Sequence, residues 1–449
     1  MAQTDTATRG NWNSKLGFVL AAAGSAVGLG NMWRFPTEAA SNGGGAFLII
    51  YLICCFVIGF PVMMAEISMG RKTGKNPVGA FKALSSNKFY PLIGMWGVLC
   101  GVMILSFYTV VAGWTVSYVF EEIFFFMGQT EWAAWMGDTS NGWLNALFSI
   151  LFMSATVSII TGGVSDGIER ATKTLMPLLF AILIVLIGYV ALQPGSSEGL
   201  AVYLQPDFSM VTPSLVFDAM GQAFFSLSLG MGALITYGSY LSKKENVPQA
   251  AALVTTTDTI VAFMAGLLII PAMYLAQAQG IAIFDDAGSL IAGPALIFQV
   301  LPSLFHELGG IWGIFLGVTF FVLLSVAALT STISLLEVPV SYAIDEFKIK
   351  RKKAAQYIGL GILAISVVVS FQTSLIGTLD TIFSQIGLPL GGILICLFLS
   401  YEWKVENAFE ELDTGNPGFS QSFIGRAWKF MVMIVCPIVI LYNLINNFL

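Results

Sequence analysis

Charge is what this chain has least of. Asp, Glu, Lys and Arg together make 10% of its 449 residues, where soluble domains carry about 25%, and that shortfall excludes an ordinary soluble fold. Histidine is nearly missing too. The single one, His306, reads as a solvated residue at an outer loop or helix end. One histidine cannot make a metal site and leaves little room for a Ser-His nucleophile–base pair. The five cysteines (Cys54, Cys55, Cys100, Cys396, Cys436) fall inside apolar runs with no CxxC spacing, so they read as small packing residues. No basic cluster lies outside short loops, which gives no reason to invoke nucleic acid. The N-terminal stretch Met1 to Lys15 lacks the apolar run of a signal peptide.

What is abundant is apolar surface: 56% hydrophobic residues and a mean hydropathy of +0.82 describe a polytopic membrane protein in a lipid bilayer. With about 20 apolar residues per crossing, eleven segments are expected, near 16–38, 43–70, 90–125, 143–161, 168–192, 213–240, 248–277, 309–342, 355–372, 376–401 and 425–448. The basic residues cluster at Arg9/Lys15, Arg71 to Lys88, Arg170/Lys173, Lys243/Lys244, Lys348 to Lys353 and Lys404 to Lys429. Eleven crossings put all of these on one side, and of the 20 Lys and Arg only Arg34 falls elsewhere, inside the membrane. The other loops hold Glu121, Glu122, Glu131, Asp138, Glu198, Asp207, Asp285, Asp286 and Glu307 without one Lys or Arg. By the positive-inside rule the N-terminus is cytoplasmic and the C-terminus outside.

Two segments contradict their surroundings. In the first, Gly24-Ser25-Ala26-Val27-Gly28-Leu29-Gly30-Asn31 sets three glycines among apolar residues, followed by Arg34 and Pro36. Each glycine costs a membrane helix about 1 kcal/mol relative to alanine, and a charge at that depth is expensive. One such break could be a close helix contact. The sixth segment repeats the pattern at Phe225-Ser226-Leu227-Ser228-Leu229-Gly230-Met231-Gly232. Interrupted helices at matching positions in successive halves point to an inverted-repeat transporter with its site at mid-depth. The chain then divides into a tail (1–15), a first half (16–192), an outer loop (193–212), a second half (213–401), a cytoplasmic loop (402–424) and a peripheral eleventh span (425–449).

At these breaks the chain resembles the neurotransmitter:sodium symporter family. The resemblance rests on Gly24-x-Ala-Val-Gly-Leu-Gly-Asn-x-x-Arg-Phe-Pro36, Asn42-Gly-Gly-Gly-Ala-Phe47, Gly59-x-Pro61 and Glu66-x-x-Met-Gly-Arg71. Gly221-Gln-Ala-Phe-Phe-x-Leu-Ser-Leu-Gly230 and Ala327-x-Leu-Thr-Ser331 complete it, in family order. It implies an all-α integral membrane fold, the LeuT fold, with a 5+5 inverted repeat and broken helices one and six. The family commonly has twelve spans; the missing one lies outside the 5+5 core. It implies inward Na⁺ flow driving substrate uptake by alternating access in a bacterial cytoplasmic membrane, and no enzyme activity.

By the same resemblance, the amides of Leu29 and Gly30 with the Tyr108 hydroxyl hold a substrate carboxylate, while oxygens of Ala26, Phe225, Ser226 and Ser228 take its amino group. Ile104, Tyr108, Phe225, Met231 and Leu335 line the side-chain pocket, with Ser331 and Ser334 nearby; nothing there pairs with a charged side chain, so the substrate is a hydrophobic L-amino acid. Family members that carry monoamines resemble this motif with an acid at the position of Gly28. Methionine is adaptable, so Met231 suggests a permissive pocket for aliphatic and aromatic substrates. Two Na⁺ ions are co-transported: one at Ala26, Asn31, Ser226, Asp258 and the substrate carboxylate, the other at Gly24, Val27, Ala327, Thr330 and Ser331. Asp258 stands where the family commonly has asparagine, and its permanent charge suggests chloride-independent transport. Arg34 with Asp380 is the expected outer gate, and Arg9 with Asp345 over Trp12 the inner one. Gly167 and Pro177 mark a cytoplasmic end of span five able to unwind. A proton-coupled or antiporting carrier on the same fold is the alternative; a channel or membrane-embedded enzyme is a distant third.

Overall fold

The computed structural model describes residues 10–284, 291 and 294–446, which are built almost wholly of helices. Arg9, Asp285 and Asp286 lie outside the described residues. Among the described residues nine helices are long and apolar enough to cross a bilayer: Gly45–Thr73, Pro91–Phe126, Gly142–Thr161, Val164–Ala191, Val247–Ala278, Gly310–Phe347, Arg351–Phe371, Ser374–Gly415 and Phe423–Ile445. A tenth crossing is the bent pair Lys15–Ala26 and Gly30–Ser41, whose halves meet at 54°. The eleventh is split into Pro213–Ser226 and Ala233–Gly238, each too short to span alone. In chain order these are spans one to eleven, with the breaks in one and six as expected.

Local chemistry sets where the helices begin. Side chains of Ser14, Asn141, Thr212 and Asn246 each accept a hydrogen bond from an amide in the first turn of spans one, four, six and seven, a cap worth about 1 kcal/mol. Pro91, Pro213 and Pro248 sit in first turns, where a missing N–H costs nothing. Two boundaries differ from the sequence reading. Span five starts at Val164, because a widened turn over Val164–Glu169 precedes the regular helix. Much of the stretch expected as loop 402–424 is helix, Val405–Gly415, continuing span ten past a turn at Lys404.

Burial sorts the spans. The most apolar windows of spans three and seven are 72% buried and those of spans five and eleven only 28% and 33%, so the former are central and the latter peripheral. Peripheral helices present large apolar side chains outward, such as Ile184, Leu360 and Ile438, as lipid requires. Span three packs along span eight, and span one lies against spans five, seven and eight. All five cysteines are free and buried. Loops on one face carry Lys and Arg together with acids, and loops on the other hold acids without Lys or Arg; these are called the basic and acidic faces below.

Candidate substrate and ion site

The break in span one begins where Val27 turns extended (φ −71°, ψ 104°) after Ala26. Its backbone polar groups are satisfied by side chains of spans three and six and by Asn31 of span one itself. The Leu29 amide donates to the Tyr108 hydroxyl at 3.0 Å, and the Gly28 amide to Asn31 Oδ1 at 3.1 Å. The Ser25 carbonyl accepts from Ser228 Oγ at 2.9 Å, and the Gly30 carbonyl from Gln222 Nε2 at 3.0 Å. Irregular backbone at membrane depth is tolerated on these terms.

Span six breaks over residues 227–232, with positive φ at Ser228 (54°), Gly230 (83°) and Gly232 (77°). Glycine at 230 is required twice over, because a Cβ there would lie 2.0 Å from the Leu388 carbonyl oxygen of span ten. Its amide donates to Glu66 Oε1 of span two at 2.7 Å. Gly230→Ala is therefore expected to destabilise the protein by about 3 kcal/mol or more, from backbone strain and collision; a melting temperature in detergent equal to wild type would refute this.

Of the four residues expected at the first ion site, Asn31, Ser226 and Asp258 share one buried cluster, while Ala26 lines the neighbouring cavity. Asn31 Nδ2 donates to Asp258 Oδ1 at 2.8 Å and to Ser226 Oγ at 3.1 Å. Ser226 Oγ donates to Asp258 Oδ2 at 2.9 Å. Tyr51 of span two joins them, its hydroxyl 3.1 Å from Ser226 Oγ and 3.3 Å from Asp258 Oδ2. The Asp258 carboxylate with the Ser226 and Tyr51 hydroxyls gathers hard oxygen donors of the kind a small cation needs, while Asn31 Oδ1 is held by the Gly28 amide.

The second group converges equally. Thr330 Oγ1 donates to the carbonyls of Ala327 (2.9 Å) and Val27 (3.2 Å). Ser331 Oγ also bonds the Val27 carbonyl at 3.3 Å. A Cβ on Gly24 would lie 3.3 Å from Thr330 Cβ, so span one reaches this group through its last regular turn as well as through Val27 at the start of the break.

Between the two groups is a cavity of about 30 Å³, lined by Ala26, Gly28, Gly30, Ile104, Tyr108, Phe225, Ser228, Met231, Ser331 and Leu335, joined by Ser25 and Leu388. That volume holds about one water, so the site is contracted around nothing larger. Above it a vestibule of about 840 Å³ opens toward the acidic face, lined among others by Leu29, Arg34, Glu38, Asp380 and Gln385. The Phe225 ring lines both spaces and divides them, with the Arg34 guanidinium 5.0 Å over its centre. Ser334 is turned away, its hydroxyl on the Ser331 carbonyl.

The gate residues are only partly assembled. Arg34 and Asp380 face one vestibule without an ion pair; Asp380 instead accepts from Gln385 at 3.0 Å. At the basic face Trp12 donates Nε1–H to the Tyr237 carbonyl at 3.0 Å and packs edge-on against Phe18, Tyr237 and Tyr240. Asp345 accepts from the Asn76 amide and side chain at 2.8 and 2.9 Å; its expected partner Arg9 is outside the described residues. Gly167 lies in the widened turn opening span five, and Pro177 within the helix that follows.

Sequence reasoning missed several participants. Glu169 accepts from the Asn13 amide and Ser14 hydroxyl and pairs with Lys173, tying span five to the start of span one. Tyr51, Gln222 and Glu66 lie in or beside the family stretches, yet only their polarity in apolar spans hints at a role. The buried Ser25 hydroxyl has no hydrogen-bond partner. His306 is not solvated: it is stacked on Phe125 with ring centres 3.4 Å apart and 20% exposed.

Two helices interrupted at mid-depth, five spans apart, around a small cavity flanked by two oxygen clusters define a broken-helix membrane transporter. The chain belongs to the sodium:neurotransmitter symporter family, whose model matches residues 9–141 and 139–448. This is a transporter family and not an enzyme class. The chain is 32% identical to an uncharacterised sodium-dependent transporter, YhdH, of Bacillus subtilis, over 97% of each chain. It is also 32% identical to an uncharacterised sodium-dependent transporter of Haemophilus influenzae, over 99% of each. Its fold matches the crystal structure of MhsT in complex with L-phenylalanine with a TM-score of 0.85, at 41% identity over 97% of this chain and 99% of that one.

Proposed function

We propose that this chain is a Na⁺-coupled symporter of hydrophobic L-amino acids, working by alternating access with its basic face in the cytoplasm. The observation that carries this reading is Gly28. A Cβ there would lie 2.3 Å from Ser331 Oγ and 2.8 Å from the Tyr108 hydroxyl. A side chain at this point has to displace both groups, and glycine brings no charge of its own, so the substrate supplies its own carboxylate. It meets the Leu29 and Gly30 amides and Tyr108, and its ammonium meets oxygens of Ala26, Phe225, Ser226 and Ser228. Apolar walls from Ile104, Met231 and Leu335 leave no partner for a charged side chain, and MhsT with bound phenylalanine is in keeping with that choice.

Two Na⁺ ions are substrates with the amino acid. The Asn31–Ser226–Asp258 cluster with the Ala26 carbonyl takes one, and Gly24, Val27, Ala327, Thr330 and Ser331 take the other. The substrate carboxylate completes the first set, so ion and amino acid raise each other's affinity. Asp258 supplies the negative charge that makes chloride unnecessary. The arrangement is open outward: a wide vestibule lies above Phe225, and Trp12 seals the opposite end. Binding draws Phe225 and Arg34 over the substrate; release inward needs Trp12 to lift and the start of span five, held by Glu169, to loosen.

Binding of labelled L-phenylalanine to the purified protein tests this reading. Saturable binding is expected in Na⁺, with a Na⁺ Hill coefficient above one, and none in K⁺; binding indifferent to the cation contradicts it. The seal gives a second prediction. Trp12→Ala removes three aromatic contacts, each worth about 0.5–1.5 kcal/mol. Met176 is buried in span five with its sulfur 3.5 Å from where a Cβ on Gly24 would lie, and a Met176→Cys reporter is expected to react about tenfold faster with a charged thiol reagent from the basic face, which corresponds to about 1.4 kcal/mol. Unchanged reactivity would show that Trp12 is not a gate.

A further inference from the structure

Outside the transport site, one side-chain cluster has chemistry that the symport reading leaves unused. Glu121 and Glu122 close the acidic-face end of span three, and His306 sits on the helix Leu296–Leu308 that crosses over them. Donor atoms of the three lie within 4.8 Å of one another. His306 Nε2 is 3.4 Å from Glu121 Oε1 and 3.5 Å from Glu122 Oε2. Those separations are long for hydrogen bonds. They match the edge of a tetrahedron of ligands, about 3.3–3.4 Å when metal–ligand bonds are about 2.0–2.1 Å.

The cluster is short of a cation. Glu122 is wholly buried, and neither of its carboxylate oxygens has a hydrogen-bond partner; Glu121 Oε2 and His306 Nε2 are likewise unpartnered. Among the described residues, His306 is the one ion-pairing partner of either acid. A buried carboxylate without compensation is costly, yet the surroundings are shaped to keep this one. At Gly317 of span eight a Cβ would lie 2.4 Å from the Glu122 carboxyl, so glycine leaves its slot. Phe125 stacks on the imidazole with planes 6° apart and fixes its direction.

We propose that Glu121, Glu122 and His306 form a binding site for a divalent transition-metal ion of the zinc type, distinct from the sites of transported Na⁺. One imidazole and two carboxylates suit a borderline cation better than a hard one, and water completes a fourth position.

The site has a consequence for transport, and this part rests on the proposed function. The helix bearing His306 continues from the turn holding Phe298, which packs against Trp33 of span one and Trp114 of span three. The Tyr118 hydroxyl also donates to the Phe298 carbonyl at 2.8 Å. A metal clamping His306 to span three therefore pins one wall of the vestibule and slows turnover.

Zinc titration of the purified full-length protein by calorimetry tests the site itself. One ion per chain is expected to bind in the micromolar range, weakened about tenfold or more in both His306→Ala and Glu122→Gln. Melting temperature serves as the fold control, so the result does not depend on phenylalanine being a substrate. His306 is partly exposed, so H306A keeps the test open should E122Q fail to fold. Zinc bound equally by wild type and H306A, or bound by neither, overturns the proposal. Zinc bound by wild type and lost in H306A, with no effect on uptake, would keep the site and overturn the clamp.

Discussion

Gly28→Asp is expected to reduce Na⁺-driven uptake of labelled phenylalanine at least a hundredfold. Two effects act together. The new side chain starts 2.3 Å from Ser331 Oγ and 2.8 Å from the Tyr108 hydroxyl, so it displaces two groups that line the cavity, where Tyr108 is proposed to meet the substrate carboxylate. Its charge then opposes that carboxylate: two like charges about 4 Å apart repel by about 4 kcal/mol at an effective dielectric of about 20, while a hundredfold loss needs only about 2.7 kcal/mol. The electrostatic term alone is large enough. Gly28→Ala carries the steric part without the charge, and a loss of about tenfold is expected. The sign of the charge effect is checked with β-phenylethylamine, the decarboxylated analogue, which G28D is expected to bind better than wild type. Wild-type phenylalanine uptake by G28D would mean that the carboxylate is held elsewhere.

Asp258→Asn acts on the ion side of the same site. Asp258 is fully buried, and its oxygens accept from Asn31, Ser226 and Tyr51. The amide keeps the shape and removes the charge, and its NH₂ turns a donor toward hydroxyls that were donating. Losing a charged ligand costs about 1.5–3 kcal/mol, so half-saturation for Na⁺ is expected to rise tenfold to a hundredfold. Phenylalanine binding titrated with Na⁺ in chloride and in gluconate separates the charge role from a general weakening. Wild type is expected to be indifferent to the anion and D258N to bind better in chloride. A wild-type protein that fails in gluconate would show that Asp258 does not replace the anion.

What could be read from the sequence follows from how local its cause is. Breaks in spans one and six are written in their own glycines and polar residues, because a membrane helix is otherwise continuous. The loop charges give the two faces by composition alone. Contacts between distant helices have no local signature. Tyr51 and Leu388 reach the site from spans two and ten, and nothing in their own stretches says which way they point. Glu169 looks like an ordinary helix-end acid until Asn13 and Ser14 are seen to bond it. His306 shows the same limit: reading it alone gave a solvated residue, and two acids 180 residues or so earlier in the chain make it part of a buried cluster. Arg34 reads as the partner of Asp380, yet its guanidinium lies over Phe225 while Asp380 accepts from Gln385, a pairing between spans one and ten that again has no local signature.

The central claim is that a Na⁺ gradient drives hydrophobic amino acids through the site at Gly28. It is tested most directly by uptake of labelled phenylalanine and leucine into proteoliposomes of the purified protein, under an inward Na⁺ gradient and under a matched choline gradient. Accumulation above equilibrium with Na⁺ and none with choline is the predicted result. Equal uptake under the two gradients would contradict it.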